Sequence, residues 1–252
     1  MKFFTAGDVL DQQSEIDLRA PVTIDIGDTI YDAVVKMFRH NFSQLPVETD
    51  EGVSGAVTYK SVCRVLRCVP DSNIESMSVR SARVDPKFVG ESQDIFGLFR
   101  TFARDEYVLI GSPPDLKGIL TRYDVFYFLR NQFEPFIKIG EIERSLRRMF
   151  VESMDDMDRA IEETFSSRDK EDSSFSAPDS VEMFTFENYK MFISQNMQDL
   201  PDQLSDESEF VTDLLQEVQR NRNALLHFRS GVDEIDREVI NVAHSYFDGI
   251  TE

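Results

Sequence analysis

The first half of the chain repeats itself. Residues 27–61 and 90–124 align without a gap at a constant offset of 63, pairing Gly27 with Gly90, Asp28 with Glu91, Thr29 with Ser92, Leu45 with Val108, Gly55 with Gly118 and Thr58 with Thr121. Each copy reads as an acidic helix start, an amphipathic helix, an apolar strand, a short turn and a second strand closing in Gly-hydrophobic-hydrophobic-Thr. A unit this small cannot cover its own apolar face, so the two copies are predicted to pack on each other around a cleft. The alternation of helix and strand makes this half an α/β layer. The first helix of each copy is predicted to start at Asp28 or at its partner Glu91. Spacings of three and four predict buried stripes at Ile30, Val34, Met37 and Phe38, and at Ile95, Leu98, Phe99 and Phe102. Strands are predicted over 45–48 and 54–58, then over 107–111 and 118–121. A polar lead-in with a small helix precedes them at 5–19.

Charge bounds the partners. Asp and Glu number 47 against 27 Lys and Arg, a net of −20 in 252 residues. Such a field repels polyanions at long range, so DNA is not an expected partner, and the balance fits the salt-rich cytoplasm of a halophile. Asp8, Asp11 and Glu15 stand where a secretory segment needs an apolar run, and no stretch of about 18 residues lacks charge, which points to a cytoplasmic protein away from membranes. Cys63 and Cys68, five apart on one predicted helix, face different ways without His or Cys partners nearby. They read as reduced core cysteines, and no metal site is expected.

After Gln132 the strand pattern stops. Apolar spacing predicts helices over 139–150, with Ile142, Leu146, Met149 and Phe150 inward and a continuation towards Phe165, then over 184–192, 210–228 and 232–247. The C-terminal part is thus expected to be an all-α four-helix bundle over 133–252, with a mobile acidic and Ser-rich loop at 167–182. The N-terminal part spans 1–132, its copies at about 5–68 and 72–132.

The repeated unit resembles the cystathionine β-synthase (CBS) domain, which occurs as a tandem pair. The most specific element is Gly-h-h-Thr/Ser-x-x-Asp, whole in the second copy as Gly118-Ile119-Leu120-Thr121-Arg122-Tyr123-Asp124. The resemblance implies an adenine nucleotide or related adenosyl ligand in the cleft: ATP, ADP, AMP or S-adenosylmethionine, as a regulatory ligand rather than a required cofactor. Thr121 and Asp124 would hold its ribose and neighbouring phosphate. The first copy reads Gly55-Ala56-Val57-Thr58-Tyr59-Lys60-Ser61, so Thr58 keeps the hydroxyl but Ser61 stands where the carboxylate belongs. That predicts one competent pocket and a weak or vacant one. The same Thr-x-x-Asp string is also that of a strand end followed by a capped helix.

In the helical part, Arg222-Asn223-Ala224-Leu225-Leu226-His227 resembles the Arg-polar-x-x-x-His motif of the HEPN superfamily of helical bundles, many of them metal-independent endoribonucleases acting as dimers. The resemblance implies that Arg222 stabilises a phosphate, Asn223 orients the site and His227 serves as general acid or base, with a homodimer and an RNA substrate. Asn223 and His227, four apart, share a helix face about 40° from each other, and across 216–229 three arginines outweigh one glutamate. Glu141 or Glu143 offers a further polar group, whereas His40 and His244 have no matching constellation. The alternative is a non-enzymatic regulatory or scaffold protein whose helical part mediates dimerisation or docking.

Overall fold

In the two hairpins the repeat holds residue for residue. In the computed structural model, β1 (Ile24–Asp25) runs parallel to β2 (Gln44–Thr49), which turns into the antiparallel β3 (Gly52–Thr58). In the second copy β4 (Phe88–Val89), β5 (Tyr107–Ser112) and β6 (Asp115–Thr121) do the same. Gln44 faces Thr58 as Tyr107 faces Thr121, and a bulge between Val47 and Glu48 recurs between Ile110 and Gly111. The hairpin strands extend beyond their predicted ends, leaving two-residue turns. The structure describes residues 4–14, 21–71, 73–171, 176–227 and 235–250, and the chain divides into two compact units, 1–129 and 130–252.

The hairpins of the two copies meet through Val53, Ala56, Tyr107 and Leu109, all buried. At this seam Gly52 has φ +108°, and a Cβ there would fall 2.3 Å from the carbonyl oxygen of Pro113. Only glycine fits such a backbone so close to another. The next amide, of Val53, donates to that carbonyl at 2.8 Å.

The helices depart from the constant offset. Thr29 caps α2 (Ile30–His40) and Asp94 caps α4 (Ile95–Phe102), 65 residues apart rather than 63. The second copy is two residues shorter between cap and strand, so Asp28 and Glu91 are not the helix starts. The buried faces are Ile30, Ala33 and Met37 in α2 and Ile95, Leu98 and Phe102 among the apolar residues of α4, while Phe38 is 74% and Phe99 44% exposed. Each residue advances about 100° around a helix, so Phe38 cannot share the inward direction of Met37. In α3 (Tyr59–Cys68) the buried residues are Ser61 and Val62. Cys63 and Cys68 are free and exposed, not core residues as expected.

Lead-in segments are exchanged between the copies. The first helix, α1 (Ala6–Ser14), packs on the second copy: Ala6 N–H donates to Gln93 O at 2.8 Å and Gly7 N–H to Glu91 O at 2.9 Å. Ala6 and Val9 are buried with Ile95, Leu98, Leu120 and Val125. Conversely the 3-10 turn Val79–Ala82 completes the first copy, where Val79 and Ala82 join Ile24, Ile30 and Leu45. The two repeat glycines receive these segments. A Cβ on Gly118 would lie 2.4 Å from Leu10 Cδ2, and one on Gly55 2.4 Å from Arg83 Cγ.

The second unit is helical. It holds most of α5 (Arg122–Ser153), then α6 (Met157–Glu171), α7 (Phe186–Gln195), the short α8 (Asp202–Asp206), α9 (Ser208–His227) and α10 (Arg237–Ile250). The inward positions predicted over 139–150 are all buried, and Phe150 sits among Phe184, Tyr189 and Phe192 with ring centroids 6.4, 6.0 and 4.7 Å away. The helix does not run on to Phe165, which lies in α6 after a break at 154–156. The first five residues of the expected loop at 167–182 are helical, extending α6 to Glu171, and 172–175 lie outside the described residues. No helix among the described residues is long and apolar enough to cross a membrane.

Candidate functional site

The N-terminal unit carries an open-sided cavity of about 720 Å³. Its wall is built from α1, residues 21–22, the 41–44 turn, Glu91, the end of β6 and the first turns of α5. Leu10, Val22, Phe42, Ile119, Tyr127 and Phe128 supply apolar surface, and Thr121 and Asp124 both line it. α1 reaches the site because Gly118 has no side chain to hold Leu10 away.

Thr121 and Asp124 are bonded to each other. Asp124 Oδ2 accepts from Thr121 N at 2.7 Å and from Thr121 Oγ1 at 2.6 Å, while Asp124 N–H donates to Thr121 Oγ1 at 3.3 Å. This reciprocal cap satisfies donors that a helix start leaves unpaired. The protein uses the same device at Thr5/Asp8, Thr29/Asp32, Thr58/Ser61 and Thr185/Asn188. The pair's internal geometry is therefore that of a helix cap. What sets it apart is its place in a cavity wall, with Asp124 Oδ1 taking no bond among the described residues.

Thr58 and Ser61 stand elsewhere. They are 7% and 4% exposed, they do not line the cavity, and their hydroxyls are committed to the cap of α3. Neighbouring Lys60 lies out on the surface, 4.0 Å from Glu106.

In the helical unit the Arg222 guanidinium is engaged. Its Nε is 3.5 Å from Glu143 Oε1, and its central carbon lies 6.0 Å from the Phe186 ring centre. Glu143 also accepts from Arg147 Nη2 at 2.8 Å, and Arg147 Nε donates to the Tyr189 hydroxyl at 2.7 Å. Burial pushes that phenol up to about 12 against the opposing pull of Arg147. Asn223 is exposed, and the His227 side chain lies outside the described residues, its backbone closing α9. Glu141 meets His244, Nε2 to Oε2 2.7 Å. That partnership between residues 103 apart has no signature in local sequence. Among the described residues no group of His, Cys, Asp and Glu is placed to hold a metal ion.

The buried asparagine of α9 is Asn221, two residues before the one singled out by the motif. Its Nδ2 donates to Glu217 O at 2.9 Å and its Oδ1 accepts from Asp236 N at 2.7 Å, while the Asp236 carboxylate accepts from Glu238 N and Val239 N at the start of α10. Asn221→Ala leaves the Asp236 amide without its partner. It is expected to destabilise the helical unit by about 1–3 kcal/mol, read as a lower midpoint in urea unfolding with unchanged slope.

Comparison with known proteins agrees with this architecture. Residues 14–68, the first copy, match the CBS domain family, and the N-terminal half is a CBS-type sheet-and-helix module followed by the helices α5–α10. No curated protein matches the chain in sequence. Similar solved structures include a CBS-domain-containing protein from Agrobacterium tumefaciens, 20% identical over 49% of this chain and 96% of that one, TM-score 0.43. A protein with CBS domains from Burkholderia ambifaria is 18% identical over 50% of this chain and 93% of that one, TM-score 0.45. CBSX2 in complex with AMP is 17% identical over 51% and 97%, TM-score 0.41. Similarity at this level places no ligand on the present chain.

Proposed function

We propose that the N-terminal half binds an adenosyl ligand in the cavity beside Thr121 and Asp124, and that the chain is a regulatory protein responding to that ligand. The observation that carries this reading is the state of Asp124. One carboxylate oxygen is fixed by the cap, so the other is pre-oriented in the cavity wall and offers acceptor capacity for vicinal ribose hydroxyls. The aromatic and aliphatic wall suits a base, and a volume of about 720 Å³ lies within the range of small-molecule sites. The CBS match over 14–68 supports the same assignment. No ligand is assigned to Thr58 and Ser61, whose groups serve the cap.

The test is calorimetric titration with adenosine, AMP, ADP, ATP and S-adenosylmethionine. At least one is expected to bind one-to-one with a submillimolar Kd. Absence of binding by all five at millimolar concentration refutes the reading.

The response is assigned to α5, which begins in the cavity wall and supplies Ile139, Ile142, Leu146, Met149 and Phe150 to the core of the helical unit. A ligand shifts an equilibrium only through different affinity for its two states. Changed amide exchange along 122–153 on ligand addition is therefore the accompanying readout.

For the helical half we favour docking or dimerisation over RNA cleavage, because Arg222, the group meant for phosphate, is engaged by Glu143. The HEPN-type endoribonuclease reading, in a homodimer with Arg222, Asn223 and His227, rests on the motif alone. Metal-free cleavage of RNA that His227→Ala abolishes would establish it in place of docking.

A further inference from the structure

The charges on the described residues that line the cavity are unsuited to a polyphosphate. Among its described wall residues the charged ones are Asp11, Glu91, Asp124 and Lys117, with no arginine. The single ammonium is already matched: Lys117 Nζ lies 2.9 Å from Asp115 Oδ2, and that hydrogen bond, with Glu91 adding to it, holds Lys117 above its ordinary range. Among the described wall residues, setting Asp11 aside, Glu91 and Asp124 have Lys117 as their one cation, and it is shared with Asp115.

A helix start is the usual place for a phosphate in a site without basic side chains. Here the start of α5 is partly answered from within the chain. Asp124 puts its own carboxylate at that end, accepting from Thr121 N, and its own N–H is taken by Thr121 Oγ1. A phosphate approaching there meets a like charge beside the first-turn amides. That carboxylate weakens the helix start as a phosphate site. A sulfonium, by contrast, finds carboxylates around it.

We propose that this cavity discriminates among adenosyl ligands by the charge of their 5′ group, favouring a cationic or neutral group and disfavouring each added phosphate. The inference rests on the adenosyl reading above and narrows it to S-adenosylmethionine-like or adenosine-like ligands. A unit charge about 7 Å from another in a water-like dielectric changes affinity by about threefold, and salt weakens the effect.

The experiment is titration of the full chain, in buffer free of divalent cations, with S-adenosylmethionine, adenosine, AMP and ATP at two salt concentrations where circular dichroism shows it folded. The expected result is ATP at least about tenfold weaker than adenosine, with the gap narrowing at the higher salt. At constant salt, Glu91→Gln is expected to reduce the adenosine-to-ATP ratio by about threefold. This carboxylate lies at the cavity wall and its side chain is not needed for the backbone bond that Gly7 N–H makes to Glu91 O. ATP binding the wild-type chain as tightly as adenosine, or Glu91→Gln leaving the ratio unchanged, overturns the inference while leaving the adenosyl site standing. If none of the four compounds binds, the site assignment itself fails and the inference falls with it.

Discussion

Asp124→Asn is expected to weaken adenosyl binding by about tenfold or more while leaving the fold in place. The two parts of this expectation separate because the protein already contains the asparagine version of the cap. At the start of α7, Asn188 Oδ1 accepts from Thr185 N at 2.8 Å and from Thr185 Oγ1 at 2.7 Å, and Asn188 N–H donates to Thr185 Oγ1 at 3.3 Å. Those distances reproduce the Thr121/Asp124 pair to within 0.1 Å. Asparagine at 124 therefore keeps the helix start and surrenders only the second acceptor oxygen and the charge, at about 0.3–1 kcal/mol for the lost helix-dipole interaction. The ligand loses a charge-assisted hydrogen bond, worth about 1.5–3 kcal/mol. Asp124→Ala removes the cap as well and is expected to lower stability by about 1 kcal/mol more. The checks are calorimetric Kd values beside thermal melts for both variants. If Asp124→Asn binds as the wild type does, Asp124 is a helix cap and nothing else.

Phe150→Ala is expected to be the most destabilising of the substitutions considered, by about 3–5 kcal/mol. Phe150 is fully buried, and three aromatic neighbours, Phe184 just before α7 and Tyr189 and Phe192 within it, close around it. Removing the ring forfeits its transfer free energy and leaves a void that stiff aromatic side chains refill poorly. The loss is a large part of the roughly 5–15 kcal/mol that holds a domain together. Urea unfolding of the variant beside the wild type measures it. A change below about 1 kcal/mol would show that these rings do not form one packed cluster.

Much of the fold was legible in the sequence because it is carried by local patterns. The two hairpins follow from apolar runs broken by Asp50-Glu51 and Pro113-Pro114, and their common register follows from the constant offset of 63. The helix starts did not follow from the offset of 63, since two residues are missing from the second copy between Asp94 and Tyr107; Ile30, Met37 and Arg39 match Ile95, Phe102 and Arg104 only at an offset of 65. Phe38 and Phe99 were placed inward because hydrophobicity reports what a side chain prefers, not which way the helix turns it. In the site, Thr121 and Asp124 stood out through their motif. Leu10, Gln12 and Phe42, which share the wall with them, carry no mark of their own, and Glu91 stood out only as a helix start.

The amino-acid string alone determined that two like units of helix and strand precede a run of helices, since periodicity and turn chemistry act over a few residues. It also determined which unit holds the intact Thr-x-x-Asp. Tertiary structure decided that α1 crosses to the second copy and that residues 79–82 complete the first. It likewise decided that the Thr121/Asp124 cap opens on a cavity whereas Thr58/Ser61 is buried, and that Arg222 meets Glu143. Those outcomes depend on contacts between residues dozens of positions apart, whose energies are set by packing and by the pairing of buried polar groups. No local pattern encodes them.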